Sequence, residues 1–344
     1  MKIVADRNIP FLKGVFEPYS EVLYKDGREI CRGDLMDADA LITRTRTRCN
    51  ASLLEGTAVK VISSATIGTD HIDVDWCRDN GIEVFNAAGC NASGVMDYVF
   101  SALYGVASRK SIPLTGKTMG IIGVGSVGTR VEAMARKLGF NVLLNDPPRA
   151  AAEGPWKFCS LERLLDESDI VTMHVPLSSS TRGMAGDGFF TRMRTGAIFI
   201  NTCRGEVLDE AALLRAIPKL GAVVIDTWSN EPAVNRLLLD SVDIATPHIA
   251  GYSYQGKQNG AAMAVKAVAR AFGIRDLWDY FPKTESSDLE PVVLDVEGKA
   301  QGQIAALLQY NYPIFTDDFL FRTDPANFEA MRAGYNYRRE FYIA

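Results

Sequence analysis

A chain of 344 residues that is 47% apolar and 23% charged has the composition of a globular protein with room for two packed domains, which excludes disordered, collagen-like and small stapled classes. Its formal net charge of −5 gives no general attraction for nucleic acid or an anionic membrane, so neither is expected as a partner. Six cysteines (Cys31, Cys49, Cys77, Cys90, Cys159 and Cys203) show no CxxC pair and no zinc-ligand spacing. With no window of roughly 18 apolar residues and no signal-peptide pattern at the N-terminus, the expectation is a cytoplasmic protein with reduced thiols and no metal.

In chain order, short β-rich runs are expected at 2–6 (KIVAD), 40–43 (ALIT), 59–66 (VKVISSAT) and 82–87 (IEVFNA), forming a first α/β unit. A helical pattern runs from Ser93 to about Lys110 and is interrupted by Pro113 and Gly116. A second, more regular series follows at 118–125, 141–146, 170–175, 197–202, 222–228 and 242–246, mostly with helical patterns between the strands. Near-continuous apolar strands alternating with helices predict a parallel sheet covered on both faces. Another helix is expected at about 255–273, then a polar, proline-flanked linker (PKTESSDLEP). The last residues restart with VVLDV, a helix-like QIAALLQY and YNYRREFYIA, which suggest a small third unit.

The segment GIIGVGSVGTRVEAMARKLGF places Gly123, Gly125 and Gly128 in the order G-x-G-x-x-G between a strand and an amphipathic helix. The first glycine permits the tight turn, the second lets backbone approach a pyrophosphate, and the third allows close packing of helix on strand. The helix N-terminus adds free N–H groups and a positive dipole, so a dinucleotide is the expected ligand. Asp146 ends the next strand, where a carboxylate accepts hydrogen bonds from ribose hydroxyls and repels a 2′-phosphate, favouring NAD over NADP. Arg149 follows closely and leaves that preference open.

Only three histidines are present. His248 follows the strand at 242–246, Glu231 the strand at 222–228 and Arg204 the strand at 197–202, all at the edge of a parallel sheet where ligands bind. Oxidation of an alcohol by hydride transfer needs a base, and an imidazole titrates near neutrality, so His248 is the candidate. Glu231 would orient that imidazole and stabilise its protonated form, and Arg204 would hold a substrate carboxylate. His174 reads as a wall of the nicotinamide pocket, and His71 as structural.

With these residues in view, the chain resembles the NAD-dependent D-2-hydroxyacid dehydrogenase family across roughly the first 275 residues, through GTDHID, GIIGVGSVG, NTCRGEVLDE, NEP and TPHIAG. The resemblance implies a Rossmann doubly wound parallel sheet (94–254) inserted in a flavodoxin-like α/β substrate domain (1–93 and 255–282), with Arg204, Glu231 and His248 catalytic. The segments SATIGTDHID, GCNASGVMDYVFSAL, NDPPRA and HIAGYSYQGK, with the ending YNYRREF, are similar to one branch, implying a small α+β C-terminal dimerisation domain (283–344) and a homodimer. Matching positions imply substrate contacts at Thr45, Thr66 and Tyr252. They place Asp146, Thr202, Cys203, Arg204, Asp226 and Gly251 beside NAD, together with Gly123, Gly125, Val127 and Gly128. Thr45 stands where a serine is expected and keeps the hydroxyl.

The stretch LITRTRTRCN sets Arg44, Arg46 and Arg48 at alternate positions after a strand. A phosphorylated 2-hydroxy acid, doubly anionic, would need such charge, with Arg44 or Arg46 as phosphate contacts; a solvated edge that blunts strand pairing is the other reading. Two rivals stay open: a relative acting on another hydroxy acid such as 3-phosphoglycerate, and a non-catalytic NAD-sensing corepressor-like protein.

Overall fold

A computed structural model describes all 344 residues, which form two compact units: Met1–Asn91 with Ser253–Glu290, and Ala92–Tyr252 with Pro291–Ala344. In the first, β1 (Lys2–Asp6), β2 (Glu21–Lys25), β3 (Ala40–Thr43), β4 (Val61–Ser64) and β5 (Glu83–Phe85) make a parallel sheet in the order β2-β1-β3-β4-β5. This is the flavodoxin-like order. Every residue of β3 and β4 is buried, as parallel strands covered on both faces require. The helix Tyr254–Ala271 lies on β4, and small residues allow the approach: a Cβ at Gly260 would sit 2.6 Å from the Ala65 carbonyl oxygen. β2 is the strand not anticipated, because EVLYK lies at an edge with no fully buried residue and carries charge at both ends.

The second unit is built on β6 (Thr118–Ile122), β7 (Asn141–Asn145), β8 (Ile170–Met173), β9 (Ile198–Asn201), β10 (Ala222–Ile225) and β11 (Ile244–Ala245), all parallel, in the order β11-β10-β9-β8-β6-β7. The strand order reverses at β6, so the carboxyl ends of β6 and β8 flank a topological switch point. Strand β6 stops at Ile122, short of the expected 125, because Gly123 turns the chain with φ of 84°. The expected helix at 93–110 is Ala92–Arg109, and nearly its whole surface is buried.

The C-terminal segment contributes β12 (Val292–Leu294) and β13 (Phe341–Ile343), paired in parallel, and the helices Gln301–Asn311, Ile314–Thr323 and Phe328–Ala333. The sequence suggested a separate unit from residue 283. In the structure residues 283–290 group with the first unit and Pro291–Ala344 with the second. Ile304, Leu308, Ile314, Phe341 and Ile343 share one core with Tyr98, Leu103 and Val106 of the long helix, while Phe321 and Phe328 enter the core on the other face. Polar ties reinforce this packing. Gln309 Nε2 donates to the Ser101 carbonyl (2.7 Å), and Asp318 accepts from Ala245 N (2.7 Å), satisfying a donor of the edge strand β11 that no further strand pairs.

Candidate active site

The glycine-rich turn carries out three different geometric tasks. A Cβ on Gly123 would lie 2.8 Å from the backbone of His174 and Val175, and one on Gly128 would fall on the Gly123 carbonyl, so both glycines are demanded by backbone packing. A Cβ on Gly125 would meet nothing, although this residue caps the Ser126–Lys137 helix, with Val127 in its first turn. Open space over a helix N-terminus, reached through a side-chain-free residue, is what a pyrophosphate needs, and the site therefore fits NAD. Gly125→Ala should leave the melting temperature unchanged and weaken NAD binding about tenfold or more, whereas Gly128→Ala should destabilise the fold itself. Calorimetric melting and NAD titration of both variants check this, and a Gly125→Ala protein binding NAD normally would put the pyrophosphate elsewhere.

Asp146 was expected to end the strand; β7 stops at Asn145, and Asp146 follows it as the cap of the helix Pro147–Glu153. Its carboxylate accepts Val124 N (2.7 Å) and Arg149 N (3.0 Å), which anchors it to the turn with lone pairs to spare for ribose hydroxyls. Arg149 is engaged elsewhere: Nε and Nη2 form a fork with Glu153 (2.5 and 2.8 Å), and Nη1 donates to the Val124 carbonyl (2.6 Å). Serving a 2′-phosphate would require breaking that pair, which supports NAD over NADP.

His174 follows β8 and places Nε2 3.0 Å from the Thr172 hydroxyl and Nδ1 3.3 Å from that of Thr202. Burial pushes its pKa down to about 3, so the ring is neutral and a poor base. His71, in the first unit, has both ring nitrogens buried without a hydrogen-bond partner, and burial lowers its pKa as well.

His248 is different. Its Nδ1 lies 2.8 Å from Glu231 Oε2, and its side chain keeps 28% of its surface exposed, leaving Nε2 as the nitrogen turned to other partners. The other carboxylate oxygen, Oε1, accepts Trp228 N (2.9 Å), so Glu231 is fixed at both ends. Burial alone would raise the Glu231 carboxyl, but the His248 hydrogen bond and charge, the Trp228 N–H and the nearby Arg332 guanidinium hold it below the usual range. The carboxylate is thus charged at neutral pH and sets the tautomer with hydrogen on Nδ1 and a lone pair on Nε2. Both loops are held in left-handed backbone, with φ of 57° at His248 and 62° at Asn230. Non-glycine residues in that region concentrate at functional sites.

Arg204 leaves β9 in extended backbone, and its Nη1 donates to the Cys203 carbonyl (2.7 Å). The neighbouring Gly205 presses directly on the Trp228 carbonyl and Ser229 N, where no side chain fits, and so brings the Arg204 loop against the loop that carries Glu231. The sequence reading did not single out Gly205; its signal is only its place after a catalytic candidate. Asn201 organises the same turn, accepting from Cys203 N and Sγ through Oδ1 (3.2 and 3.0 Å). Burial raises the Cys203 thiol to about 11, so it is inert as a nucleophile.

Asp226, expected beside the cofactor, is fully buried, and its carboxylate accepts the Thr246 hydroxyl (2.6 Å), Ile249 N (2.8 Å) and Ala250 N (3.0 Å). Its side chain therefore serves the loop 246–250. Gly251 and Tyr252 close that loop, with Tyr252 N donating to the Ile249 carbonyl (2.8 Å). The Tyr252 ring meets Tyr335 and Tyr337 edge-on at 5.8 and 6.1 Å, and the Arg332 guanidinium lies 5.8 Å from its centre. The sequence did not place these C-terminal side chains at the site.

In the first unit Arg44 and Thr66 follow the adjacent strands β3 and β4 at the same edge of the sheet. Arg44 Nε donates to the wholly buried Asp6 at 2.9 Å, which orients the guanidinium and balances part of its charge. Thr45 and Arg48 are exposed, Arg46 is half-buried, and the Thr66 hydroxyl pairs with that of Ser64 (2.8 Å).

Residues 104–250 match the family described as D-isomer specific 2-hydroxyacid dehydrogenase, NAD binding domain. Over 99% of its length the chain is 43% identical to the erythronate-4-phosphate dehydrogenase of Bacteroides thetaiotaomicron, covering 97% of that protein. It is 40% identical to that of Yersinia pestis (strain Pestoides F), again over 99% of this chain and 93% of the relative. Among solved structures it is similar to the NAD+-bound 3-phosphoglycerate dehydrogenase of Entamoeba histolytica, with TM-score 0.67, 25% identity, and coverage of 82% of this chain and 99% of that one. The chain therefore belongs to the D-isomer specific 2-hydroxyacid dehydrogenases, NAD-dependent oxidoreductases acting on CH–OH groups, and within them to the erythronate-4-phosphate dehydrogenases.

Proposed function

We propose that this protein oxidises the C2 hydroxyl of 4-phospho-D-erythronate to give 2-oxo-3-hydroxy-4-phosphobutanoate, in the synthesis of pyridoxal 5′-phosphate (vitamin B6). The observation that carries the chemistry is the 2.8 Å contact between His248 Nδ1 and Glu231 Oε2, at the carboxyl edge of the sheet that holds the glycine-rich turn. When bound, NAD supplies the acceptor for the hydride leaving C2. His248 Nε2 takes the hydroxyl proton, and the Glu231 carboxylate stabilises the imidazolium that results. Arg204 offers its guanidinium to the substrate carboxylate, and Tyr252, which follows in the same loop as the base, offers its hydroxyl to the substrate. Gly123, Gly125, Val127, Gly128 and Asp146 hold the dinucleotide, with Thr202, Cys203, Asp226 and Gly251 shaping the backbone around the nicotinamide.

For Arg44 and Arg46 we infer phosphate recognition, with Thr45 and Thr66 as hydroxyl donors. The buried Asp6 gives Arg44 a fixed orientation. A homodimer assembled through the C-terminal segment is supported by the exposure of Tyr310, Phe319, Leu320 and Val293, unusually apolar for solvent. A cytoplasmic location accords with six free cysteines, and no helix is long and apolar enough to cross a membrane.

The test is nicotinamide absorbance with 4-phospho-D-erythronate, D-3-phosphoglycerate and D-lactate, with a 2-oxo acid present in a parallel product assay to reoxidise retained NADH. We expect kcat/KM for the first substrate to exceed that for D-lactate by about 100-fold, since D-lactate lacks the phosphate and a missing charge-assisted contact costs on the order of 1.5–3 kcal/mol. It should exceed that for D-3-phosphoglycerate by roughly tenfold or more, since that acid keeps both charges but is one carbon shorter and cannot seat both at once. Turnover of another acid alone would discard the substrate and keep the chemistry. NADH binding without any turnover would point to a sensing protein. Arg46→Ala with an unchanged KM would return that arginine to a solvated edge.

A further inference from the structure

The loop that carries His248 has few regular partners: β11 is only Ile244–Ala245, and the next helix begins at Tyr254. Its N–H groups at Ile249 and Ala250 turn to the Asp226 carboxylate. Its carbonyls turn to Arg338. Nη1 donates to the carbonyls of Ile249 (3.2 Å) and Tyr252 (3.0 Å), and Nη2 to that of Ala250. The same guanidinium reaches the Gly94 carbonyl (3.0 Å), where the long Ala92–Arg109 helix begins, and the Tyr335 hydroxyl (3.3 Å). Its central carbon lies over the Tyr312 ring, 4.0 Å from the ring centre. The hydroxyls of Tyr312 and Tyr335 both donate to Asp317 (2.9 and 2.8 Å), which places a carboxylate just behind the cation.

We propose that Arg338 is a positioning residue of the reaction: by holding the carbonyls of Ile249, Ala250 and Tyr252 it sets the direction of His248 Nε2 and of the Tyr252 ring. This rests on the catalytic role given to His248 above. The loop is strung between a buried carboxyl group that takes its N–H groups and a cation that takes its carbonyls, and either one alone leaves buried peptide groups without partners. Only arginine has a rigid fork of donors wide enough for several carbonyls; lysine offers a point charge on a flexible stem. The C-terminal segment thereby acts within its own chain, whatever it does between chains.

The experiment compares Arg338→Lys and Arg338→Ala with the unaltered enzyme in kcat, KM for the hydroxy acid, NAD affinity and amide hydrogen exchange. In Arg338→Lys we expect kcat to fall roughly 10- to 100-fold, as for a reacting group displaced by about an ångström, with a raised KM for the acid. NAD affinity should fall much less than kcat, because the glycine-rich turn that holds the pyrophosphate is untouched and only Gly251 of the cofactor-lining residues lies in the loosened loop. Exchange should accelerate at 248–252 and remain unchanged at 121–135. Guanidinium ion at millimolar concentration should restore part of the kcat of Arg338→Ala.

Unchanged exchange at 248–252, or kcat and KM within twofold of the unaltered enzyme, would overturn the proposal. Accelerated exchange with unchanged kcat would also remove the role given to His248. If neither variant accumulates as folded protein, Tyr335→Phe decides. It removes one hydroxyl from the guanidinium while leaving Arg338 in place, so faster exchange at 248–252 is expected, and unaltered exchange overturns the idea.

Discussion

His248→Asn is expected to lower kcat for hydroxy-acid oxidation roughly 10²- to 10⁴-fold, the range for loss of a general base, while NAD affinity stays within twofold. Asparagine keeps a side-chain N–H donor for Glu231 but has no basic lone pair, so the variant separates proton transfer from loop structure. No second histidine can substitute. Burial pushes His174 to about 3 and lowers His71, so both are weak bases. The companion variant Glu231→Gln should cost less, about 10- to 100-fold, because the base remains and only its orientation and charge support are lost.

The charge on Glu231 carries a pH expectation of its own. Burial would raise its carboxyl, but the His248 hydrogen bond and charge and the Trp228 N–H hold it below the ordinary value, so it is anionic throughout the neutral range. Glu231→Gln removes a charge present across that whole range, and its loss in kcat should be of similar size throughout. A loss that vanished toward one end of the range would show that Glu231 changes charge there, and His248→Asn at near-normal kcat would end the assignment altogether.

What could be read in advance follows from how local each signal is. Strands β3, β8, β9 and β10 are buried along their whole length and so appear as mainly apolar runs. The glycine-rich turn was legible from the fixed spacing of its glycines between a strand and a helix, although only Gly128 answers to a near neighbour, the Gly123 carbonyl, while Gly123 answers to the distant backbone of His174 and Val175. The pairing of His248 with Glu231 was legible less directly, through the rule that parallel strands bring their carboxyl ends to one edge.

Elements whose partners are distant in sequence were not. The helices Ile314–Thr323 and Phe328–Ala333 carry weak apolar patterns, and they take their places from Trp228 and β11: the Phe321 ring lies 5.8 Å from that of Trp228, and Asp318 accepts from Ala245 N. Arg338 lay in view in YNYRREF, but nothing in its neighbours announces that it holds a loop ninety residues earlier. Asp226 shows the complementary case. The resemblance implied a place beside the cofactor, and nothing near it in sequence announces its three short hydrogen bonds, all to residues 246–250.

The second large effect is expected from a residue with no chemistry of its own. Gly205→Ala adds one methyl group where the Arg204 loop touches the Trp228 carbonyl and Ser229 N. Backbone cannot rotate away as a side chain can, so one of the two loops must move. The loop at 228–231 is tied down by Trp228 Nε1 to the Thr246 carbonyl (2.9 Å), Ser229 N to Glu210 (2.9 Å) and Trp228 N to Glu231. The displacement therefore falls on Arg204, or breaks the contacts that orient Glu231. Either way a group at the reacting centre shifts by something near an ångström, which costs about 100-fold in kcat. The overpacking itself should take about 1–3 kcal/mol of stability and lower the melting temperature by several degrees. Gly188→Ala is the matched control, a helical glycine whose added methyl meets nothing, and it should melt no lower than the parent with unchanged kcat. Steady-state kinetics and thermal melting of the two variants side by side decide the matter. If Gly205→Ala kept kcat and melting temperature at parental values, the two loops would not be coupled through this contact, and the placement of Arg204 beside the Glu231 loop would need another cause.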